Sequence, residues 1–309
     1  MALTLMEASK LNDGNVKRAA IIEMFARNSD LLRALPFEDI PGGSLAYNQE
    51  GKLPGVAFRG YNEAYSESTG IINPQVEVLR IAGGDLDVDK ALIKTRGEGV
   101  RSQHEAMKVK ALSLHLAAKM VNGDSEANPR EFDGLRKRIV GGQLFGPTAA
   151  QNVDGPLSLE VLDAAIDAVD NPTHLLMSKA MRRKLQTAAR QGVGGDITVD
   201  TDEFGFRVTR YNDLPILIAD YDDQGQRIID FNEAGPSADS QTETSLYVLS
   251  IGDGKIVGLQ NGVMEVEDLG ELDAKPVFRT RIEWLIGLAA MHGRAAARIW
   301  GITNAAVTA

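Results

Sequence analysis

Residues 87–122 decide the fold of this chain, and they read DVDKALIKTRGEGVRSQHEAMKVKALSLHLAAKMVN. From Val100 onward, one set of side chains recurs at alternating spacings of four and three, which places the set on one face of a helix. Its members are Val100, His104, Met107, Ala111, Leu114, Ala118 and Val121, and Leu112, Leu116 and Met120 widen the stripe. The pattern predicts one long amphipathic helix.

The end of this helix is clearer than its start. Gly123 offers the left-handed stop that a helix C-terminus favours, and Pro129 prevents continuation. Gly97 and Gly99 each cost about 1 kcal/mol relative to Ala inside a helix. The helix therefore begins near Gly99, where it is already about 35 Å long to Val121 at about 1.5 Å per residue, or an upstream segment joins it through a bend.

The charge of this stretch is opposite to that of the chain. Seven basic and two acidic residues lie between Lys90 and Lys119, in a chain whose net charge is −10. Taken alone, an amphipathic helix is most simply a core element packed across a sheet. A basic helix in an acidic chain also predicts a surface that meets an acidic partner.

Composition excludes several classes of protein. The chain has 309 residues, of which 43% are hydrophobic and 25% charged, as expected for a globular chain of two domains or one elaborated domain. Cysteine is absent, which excludes disulfide scaffolds and thiolate chemistry. We find no membrane-spanning run and no signal-peptide pattern. The negative charge argues against general nucleic-acid binding.

The remaining segments predict a chain rich in strands. We expect a helix at 16–27 in an N-terminal arm, and two strands within 42–72 that turn near 51–55. Further strands are expected at 76–81, 134–140, 206–211, 216–220, 263–266 and 277–282, with a hairpin formed by 245–251 and 255–260. Helices are expected at 157–169 and 175–190.

No catalytic or metal-binding constellation emerges. The four histidines include no HExxH pattern. Asp85, Asp87 and Asp89 resemble a calcium loop, but Lys90 stands where that loop needs Gly and Arg96 where it needs Glu. We therefore expect no cofactor and no enzyme activity, and a cytoplasmic α+β enzyme stays a minor alternative without a nominated residue.

Several blocks carry a family resemblance. They are GVAFRGYNEAYSESTGIINP at 55–74, IAGGDLDVDKAL at 81–92, MVNGD at 120–124, NPREFDGL at 128–135, and DLGELDAKPVFRTRIEWLIGLAAMHGRAAARIWGIT at 268–303. In order and wording they resemble tailed-phage major capsid proteins of the Hong Kong 97 capsid fold. The resemblance implies an α+β fold with an N-terminal arm (1–41), an extended loop (42–75), a peripheral domain with a long spine helix (76–153 and 263–309) and an axial domain (154–262).

The same resemblance implies a structural role. Subunits would assemble into hexamers and pentamers of an icosahedral head, built in the host cytoplasm and enclosing double-stranded DNA bound without sequence specificity. Because only residues 1–41 precede the extended loop, a separate scaffolding protein is expected, together with a portal and, in some relatives, a decoration protein. No membrane partner is expected. The alternative within the fold is an encapsulin-type nanocompartment, which encloses cargo enzymes.

The resemblance also implies intersubunit contacts. In the extended loop, the expected contacts are Lys52, Phe58, Arg59 and Tyr61. On the spine helix, they are Arg96, Arg101 and Lys108. Near local threefold contacts, they are Glu271, Asp273 and Lys275. The acidic stretch 220–244 would approach the capsomer axis. Some relatives crosslink a loop lysine to an asparagine, but no partner for Lys52 is identifiable, so no crosslink is expected.

A test of the basic helix follows from these contacts. Neutralising Arg96, Arg101 and Lys108 together is expected to impair assembly more than subunit folding. The reason is that a neighbouring subunit would present carboxylates of its ribbon region, namely Glu63, Glu67 and Glu77, to this helix.

Overall fold

The computed structural model describes residues 3–4, 29–97, 99–148, 153–193, 197–201, 207–237 and 242–309. Its strands are β1 (Leu3–Thr4), β2 (Pro36–Asp39), β3 (Ser44–Lys52), β4 (Ile71–Val78), β5 (Arg80–Asp89), β6 (Leu144–Phe145), β7 (His174–Met177), β8 (Ile197–Thr201), β9 (Arg207–Tyr211), β10 (Leu214–Ile218), β11 (Thr244–Leu249), β12 (Ile256–Gln260), β13 (Glu265–Glu271), β14 (Val277–Ala290) and β15 (Ala296–Ile302). Its helices are α1 (Asp30–Ala34), α2 (Lys90–Arg96), α3 (Gly99–Asn122), α4 (Leu135–Arg138), α5 (Leu159–Asp167) and α6 (Lys179–Arg190). This combination confirms the α+β class, and the helix predicted at 16–27 lies outside the described residues.

The long strand β14 organises the first sheet. β5 pairs with it antiparallel along one side, and β13 and β12 share the other side. β2 continues the sheet beyond β12, and β1 pairs with β2. One face of the sheet is covered by α3, and the two share a core that includes Val109, Leu112, Leu116, Met120, Ile282, Trp284 and Ile286.

The buried face of α3 differs from the predicted stripe. Met107 is 67% exposed, whereas Val109 and Met120 are fully buried. The buried face is rotated by about one residue toward the side chains that were expected only to widen the stripe. Glu105 explains the error. Its carboxylate is buried on this face and accepts a hydrogen bond from the Thr280 hydroxyl, so a charged residue in the sequence did not identify the exposed face of the helix.

The ends of the long helix have a clear structural basis. Gly97, at φ 85°, separates α2 from α3. The long helix therefore begins at Gly99, as the first alternative states, and an upstream helix precedes it across a bend, as the second states. The Asp89 carboxylate caps α2 by accepting a hydrogen bond from the backbone N–H of Ala91 at 2.7 Å. α3 ends at Asn122 as predicted, but Gly123 is not left-handed. Instead, a Cβ there would lie 2.4 Å from the carbonyl oxygen of Phe132, so only glycine allows this close approach.

The second sheet has the order β6-β15-β11-β7-β10-β9-β8. α5 and α6 cover one face, where Leu162 and Leu185 are fully buried against β7 and β11. The opposite face of β11, including Tyr247, belongs to the core shared with α3. Every residue of β11 is buried because the strand lies between these two cores.

The ribbon formed by β3 and β4 projects from the rest of the subunit. The two strands pair from Ser44 with Val78 to Lys52 with Ile71. The predicted turn at 51–55 is wrong, because the connection runs from residue 53 to residue 70 and contains no strand. Val56 and Phe58 suggested a second strand by alternation, but both side chains lie in solvent and have no partner strand within the described residues.

Strand β5 was not predicted, and it directly follows β4 in the chain. Residues 76–81 do not form one strand, since β4 ends at Val78 and β5 begins at Arg80. Gly83 and Gly84 lie inside β5, although glycine is uncommon within strands. At Gly83, a Cβ would be 2.1 Å from the carbonyl oxygen of Ile282, so glycine permits close packing of β5 on β14.

Three other predictions are wrong. The strand expected at 134–140 is the short helix α4. The helix expected at 175–190 begins only at Lys179, because the preceding apolar run is the buried strand β7. β11 and β12 do not form a hairpin, since each belongs to a different sheet. By contrast, α5 confirms the helix expected at 157–169, and β9 and β14 correspond to the strands expected at 206–211 and 277–282.

Candidate assembly interface

Residues 53–70, which we call the loop tip, expose large apolar side chains. Val56, Phe58 and Tyr61 are 96%, 106% and 102% exposed. The predicted contact residues Lys52 and Arg59 are also exposed. A projecting group of fully exposed aromatic and aliphatic side chains marks a site for association with another surface.

The loop tip has local order of its own. The backbone N–H of Gly55 donates to the Ser68 hydroxyl at 2.6 Å, and that of Gly60 donates to the Glu63 carboxylate at 2.8 Å. Arg59 donates to the carbonyl oxygen of Glu63 at 3.2 Å, and its guanidinium lies over the ring of Tyr65, 5.2 Å from its centre. These bonds shape the tip without burying its apolar groups.

The ribbon is attached to the subunit by a half-buried polar cluster. Arg138 on α4 makes a two-pronged ion pair with Glu77 on β4, with one N–O distance of 2.7 Å. Tyr47 on β3 donates to Glu77 at 3.3 Å and to the carbonyl oxygen of Ala290 at 3.1 Å. Glu77 was expected to face a neighbouring subunit, and this contact within the subunit corrects that expectation.

The pKa values of Tyr47 and Arg138 at the ribbon attachment follow from burial and from their contacts with Glu77. Burial, followed by the charge of Glu77, raises the pKa of Tyr47 to about 12. Burial alone would lower the pKa of Arg138, but the hydrogen bond and charge of Glu77 raise it above its usual value. The cluster therefore holds a charged pair and a neutral phenol at neutral pH.

The predicted contacts on the spine helix do not behave alike. Arg101 pairs with Asp268 at 2.5 Å and donates to Thr280 at 2.9 Å, so its charge is satisfied inside the subunit. Arg96 is exposed at the end of α2, and Lys108 is half-buried on α3. Neither has an ion-pair partner among the described residues.

The predicted threefold loop is a tight turn between β13 and β14. Glu271 pairs with Lys90 at 2.6 Å, which joins this turn to the start of α2. Asp273 and Lys275 are exposed, and the backbone N–H of Lys275 donates to the carbonyl oxygen of Leu272 at 3.3 Å. Glu271 is exposed but engaged by Lys90, so Asp273 and Lys275 are the members of this predicted set that make no ion pair among the described residues.

The sequence did not predict a ladder of charges on the outer face of β5 and β14. Asp85 pairs with Arg281 at 2.7 Å and Asp87 with Arg279 at 2.6 Å. The hydrogen bonds from these guanidinium groups lower the pKa of both carboxyls. The alternation of Asp85, Asp87 and Asp89 with apolar residues is a strand signal that could have revealed β5.

Three of the histidines among the described residues lie beside carboxylates or in the interior. Burial lowers the pKa of His174 to about 4. His115 contacts Asp223 at 3.0 Å, and His292 lies 3.6 Å from Asp170. Within the described ranges, no three His, Asp or Glu side chains converge as a metal site, and no helix is long and apolar enough to cross a membrane.

Comparisons with known proteins agree with this architecture. A family model described as major capsid protein GP7 matches residues 13–156, slightly less than half of the chain. Among curated proteins, no sequence matches.

Solved structures similar to the chain include an encapsulin and phage proteins. The holo-SrpI encapsulin complex from Synechococcus elongatus PCC 7942 has a TM-score of 0.66 at 16% identity, covering 100% of this chain and 99% of that one. The capsid of a native GTA particle has a TM-score of 0.58 at 14% identity, covering 88% and 90%. A protein of Microbacterium phage Oxtober96 has a TM-score of 0.60 at 12% identity, with the same coverage. The matches confirm the Hong Kong 97-type capsid fold and the resemblance to tailed-phage major capsid proteins.

Proposed function

We propose that this chain is the major capsid protein of a tailed phage, a structural subunit that assembles with copies of itself into the hexamers and pentamers of an icosahedral head around double-stranded DNA. The observation that carries the proposal is the loop tip, whose apolar side chains have no partner within the described subunit. A capsid fold that projects such a tip requires a neighbouring copy to bury it.

The proposal divides the chain into four parts. These parts are an N-terminal arm (1–41), an extended loop (42–75), a peripheral domain (76–153 and 263–309) and an axial domain (154–262). Two main apolar cores, one centred on α3 and β14 and the other on α5 and α6, motivate a peripheral and an axial unit. The two units share strands where they meet, because β12 pairs with β14 and β15 pairs with β11. The acidic stretch 220–244 would line the capsomer axis.

Intersubunit contacts are assigned to the members of the predicted sets that make no ion pair among the described residues. They are Lys52, Phe58, Arg59 and Tyr61 in the extended loop, Arg96 and Lys108 on the helices, and Asp273 and Lys275 at the threefold loop. Arg101 and Glu271 are assigned to folding of the subunit, because both make ion pairs inside it.

The proposed setting is the virion, after assembly in the host cytoplasm. A separate scaffolding protein would guide assembly and a portal would occupy one vertex, while a decoration protein could add to the outer surface. DNA would be enclosed without sequence-specific contacts. No covalent crosslink between subunits is proposed.

A second candidate function is supported by one specific observation. The similarity to the encapsulin covers the whole chain, whereas the similarity to the GTA capsid covers 88% of it. An encapsulin-type shell would enclose protein cargo instead of DNA.

The experiment that tests the proposal is purification of particles from cells that express the full chain with its neighbouring genes. We expect electron microscopy to show closed shells, and nuclease-protected DNA inside them when the packaging proteins are present. Protein cargo without protected DNA would favour the encapsulin-type shell. Monomers alone, even with the scaffolding protein present, would contradict both shell functions.

A further inference from the structure

Two Asn-Gly pairs in the sequence, at 122–123 and at 261–262, have different surroundings in the structure. An asparagine followed by glycine reacts most readily with its own backbone, because glycine has no side chain to shield the backbone nitrogen that follows the asparagine. Asn122-Gly123 lies at the end of α3, whereas Asn261-Gly262 lies in the connection between β12 and β13. The same chemistry can therefore be compared in two settings within one chain.

Asn122-Gly123 is held in place by its contacts. The backbone N–H of Gly123 donates to the carbonyl oxygen of Lys119 at 2.8 Å, and the Asn122 amide donates to the carbonyl oxygen of Ile228 at 2.8 Å. A Cβ at Gly123 would lie 2.4 Å from the carbonyl oxygen of Phe132, so the backbone here is tightly packed. The acceptor of the Gly123 N–H is a carbonyl oxygen, which is not a base at neutral pH.

Asn261-Gly262 has a carboxylate in contact with its reactive nitrogen. Both residues are exposed, and Gly262 has φ 70° with open space where a Cβ would be. The backbone N–H of Gly262 donates to Oδ1 of Asp39 at 2.8 Å. A general base must lie about 2.6–3.2 Å from the atom whose proton it accepts. Asp39 therefore lies where a base for this nitrogen has to be.

The Asn261 side chain also connects the end of β12 to the base of the ribbon. Its Nδ2 donates to the carbonyl oxygen of Gly42 at 2.8 Å, two residues before β3 begins. The neighbouring carbonyl oxygen of Gly43 accepts from the backbone N–H of Leu79 at 2.9 Å, directly after β4. A carboxylate at position 261 could not donate to Gly42 and would repel its carbonyl oxygen.

We propose that Asn261-Gly262 is a self-modifying site, at which Asp39 acts as the base for conversion of Asn261 to aspartate and isoaspartate, and that this conversion releases the base of the ribbon from the end of β12. The modification occurs in the folded subunit and does not depend on the shell function.

The reaction needs water as its only co-reactant. Asp39 accepts the proton of the Gly262 N–H, and the nitrogen attacks Cγ of Asn261. A bond forms between this nitrogen and Cγ, the bond between Cγ and Nδ2 breaks, and Nδ2 leaves as ammonia with the proton that Asp39 returns. Water then adds to one of the two carbonyls of the resulting succinimide ring. Opening at Cγ gives aspartate, and opening at the main-chain carbonyl gives isoaspartate.

Peptide mapping by mass spectrometry tests the site in the purified full chain, incubated in neutral buffer and sampled over time. We expect aspartate and isoaspartate to accumulate at position 261 at least about tenfold faster than at position 122, where two hydrogen bonds must first be broken. The absence of both products at position 261, or equal rates at the two positions, would overturn the proposal.

The variant Asp39→Asn keeps an oxygen acceptor for the Gly262 N–H but removes the base. We expect it to slow conversion at position 261 by about tenfold, less than a positioned base usually contributes, because Asp39 is exposed to water. If Asp39 only held the turn in place, its loss would leave the rate unchanged or raise it, and either result would overturn its role as the base. Glu38→Gln is the matched control, since it makes the same change in charge on the same strand, and it should leave the rate unchanged.

The variant Asn261→Asp copies the product and tests its consequence for the ribbon. Loss of the hydrogen bond to Gly42 should make hydrogen exchange at the start of β3 about fivefold faster, while β14 keeps its protection. Asn122→Asp makes the same chemical change at the other pair and should leave exchange in β3 unaltered. Unchanged exchange at the start of β3 in Asn261→Asp would overturn the release of the ribbon.

Discussion

The polar cluster at the ribbon attachment makes a sharp prediction about local stability. Replacing Arg138 with Met leaves the Glu77 carboxylate without its cation at a site where these side chains are only 13% and 17% exposed. Removing one partner of a fully buried pair costs about 3–5 kcal/mol. Because water partly reaches this pair, we expect a cost of about 2 kcal/mol.

We expect this loss of stability to be confined to the ribbon and to leave the two main cores unchanged. The ribbon has no helix packed over it within the described residues, and its attachment depends on Glu77, Tyr47 and a small apolar cluster near Leu45. Hydrogen-exchange mass spectrometry of the unassembled subunit measures this directly. A loss of about 2 kcal/mol corresponds to about 30-fold faster exchange in β3 and β4, while β14 keeps its protection.

Two controls separate the ion pair from general damage to the helix. Arg136→Met removes another cation from α4, where Arg136 has no ion-pair partner among the described residues, and should leave ribbon exchange nearly unchanged. Glu77→Gln combined with Arg138→Met removes the stranded charge and should restore about half of the protection. Unchanged exchange in β3 and β4, or an equal loss of protection in β14, would refute the reasoning.

The remaining predictions concern the subunit as a folded unit. Gly123→Ala should lower the free energy of unfolding by about 1–3 kcal/mol in chemical denaturation, because its Cβ meets a carbonyl oxygen, whereas Gly99→Ala has open space and should be neutral or stabilising. Burial lowers the pKa of His174 to about 4, so the unfolded chain takes up a proton at a higher pH than the folded chain does. The free energy of unfolding should therefore fall by about 3 kcal/mol between pH 6.5 and pH 4. The variant His174→Gln should flatten this pH dependence. Arg101→Met should lower the melting temperature of the isolated subunit, because a buried carboxylate loses its cation, whereas Arg96→Met should not. Equal melting temperatures for these two variants would restore the view of Arg101 as an assembly contact.

The sequence predicted the elements whose pattern was local. The long helix, its end at Asn122, α5 and β14 followed from periodicity and from the glycine and proline residues that end elements. The family resemblance then supplied the fold class, which the structure and the comparisons confirm. Each of these features depends on residues close together in the chain or on long blocks of similar sequence.

The missed features depend on distant partners. β5 looked like a glycine break followed by an acidic cluster, because its strand character depends on β14, almost 200 residues later. β11 and β12 looked like a hairpin, but each finds its partners in another sheet. Similarly, the role of Arg101 is decided by Asp268, which no local pattern could connect to it.

A cryo-EM map of particles assembled from the full chain tests the central claim most directly. We predict an icosahedral shell of hexamers and pentamers in which the loop tip of each subunit is buried on an adjacent copy. A closed shell in which Phe58 and Tyr61 stay in solvent would contradict the role of the loop tip, and particles without icosahedral symmetry would contradict the capsid function itself.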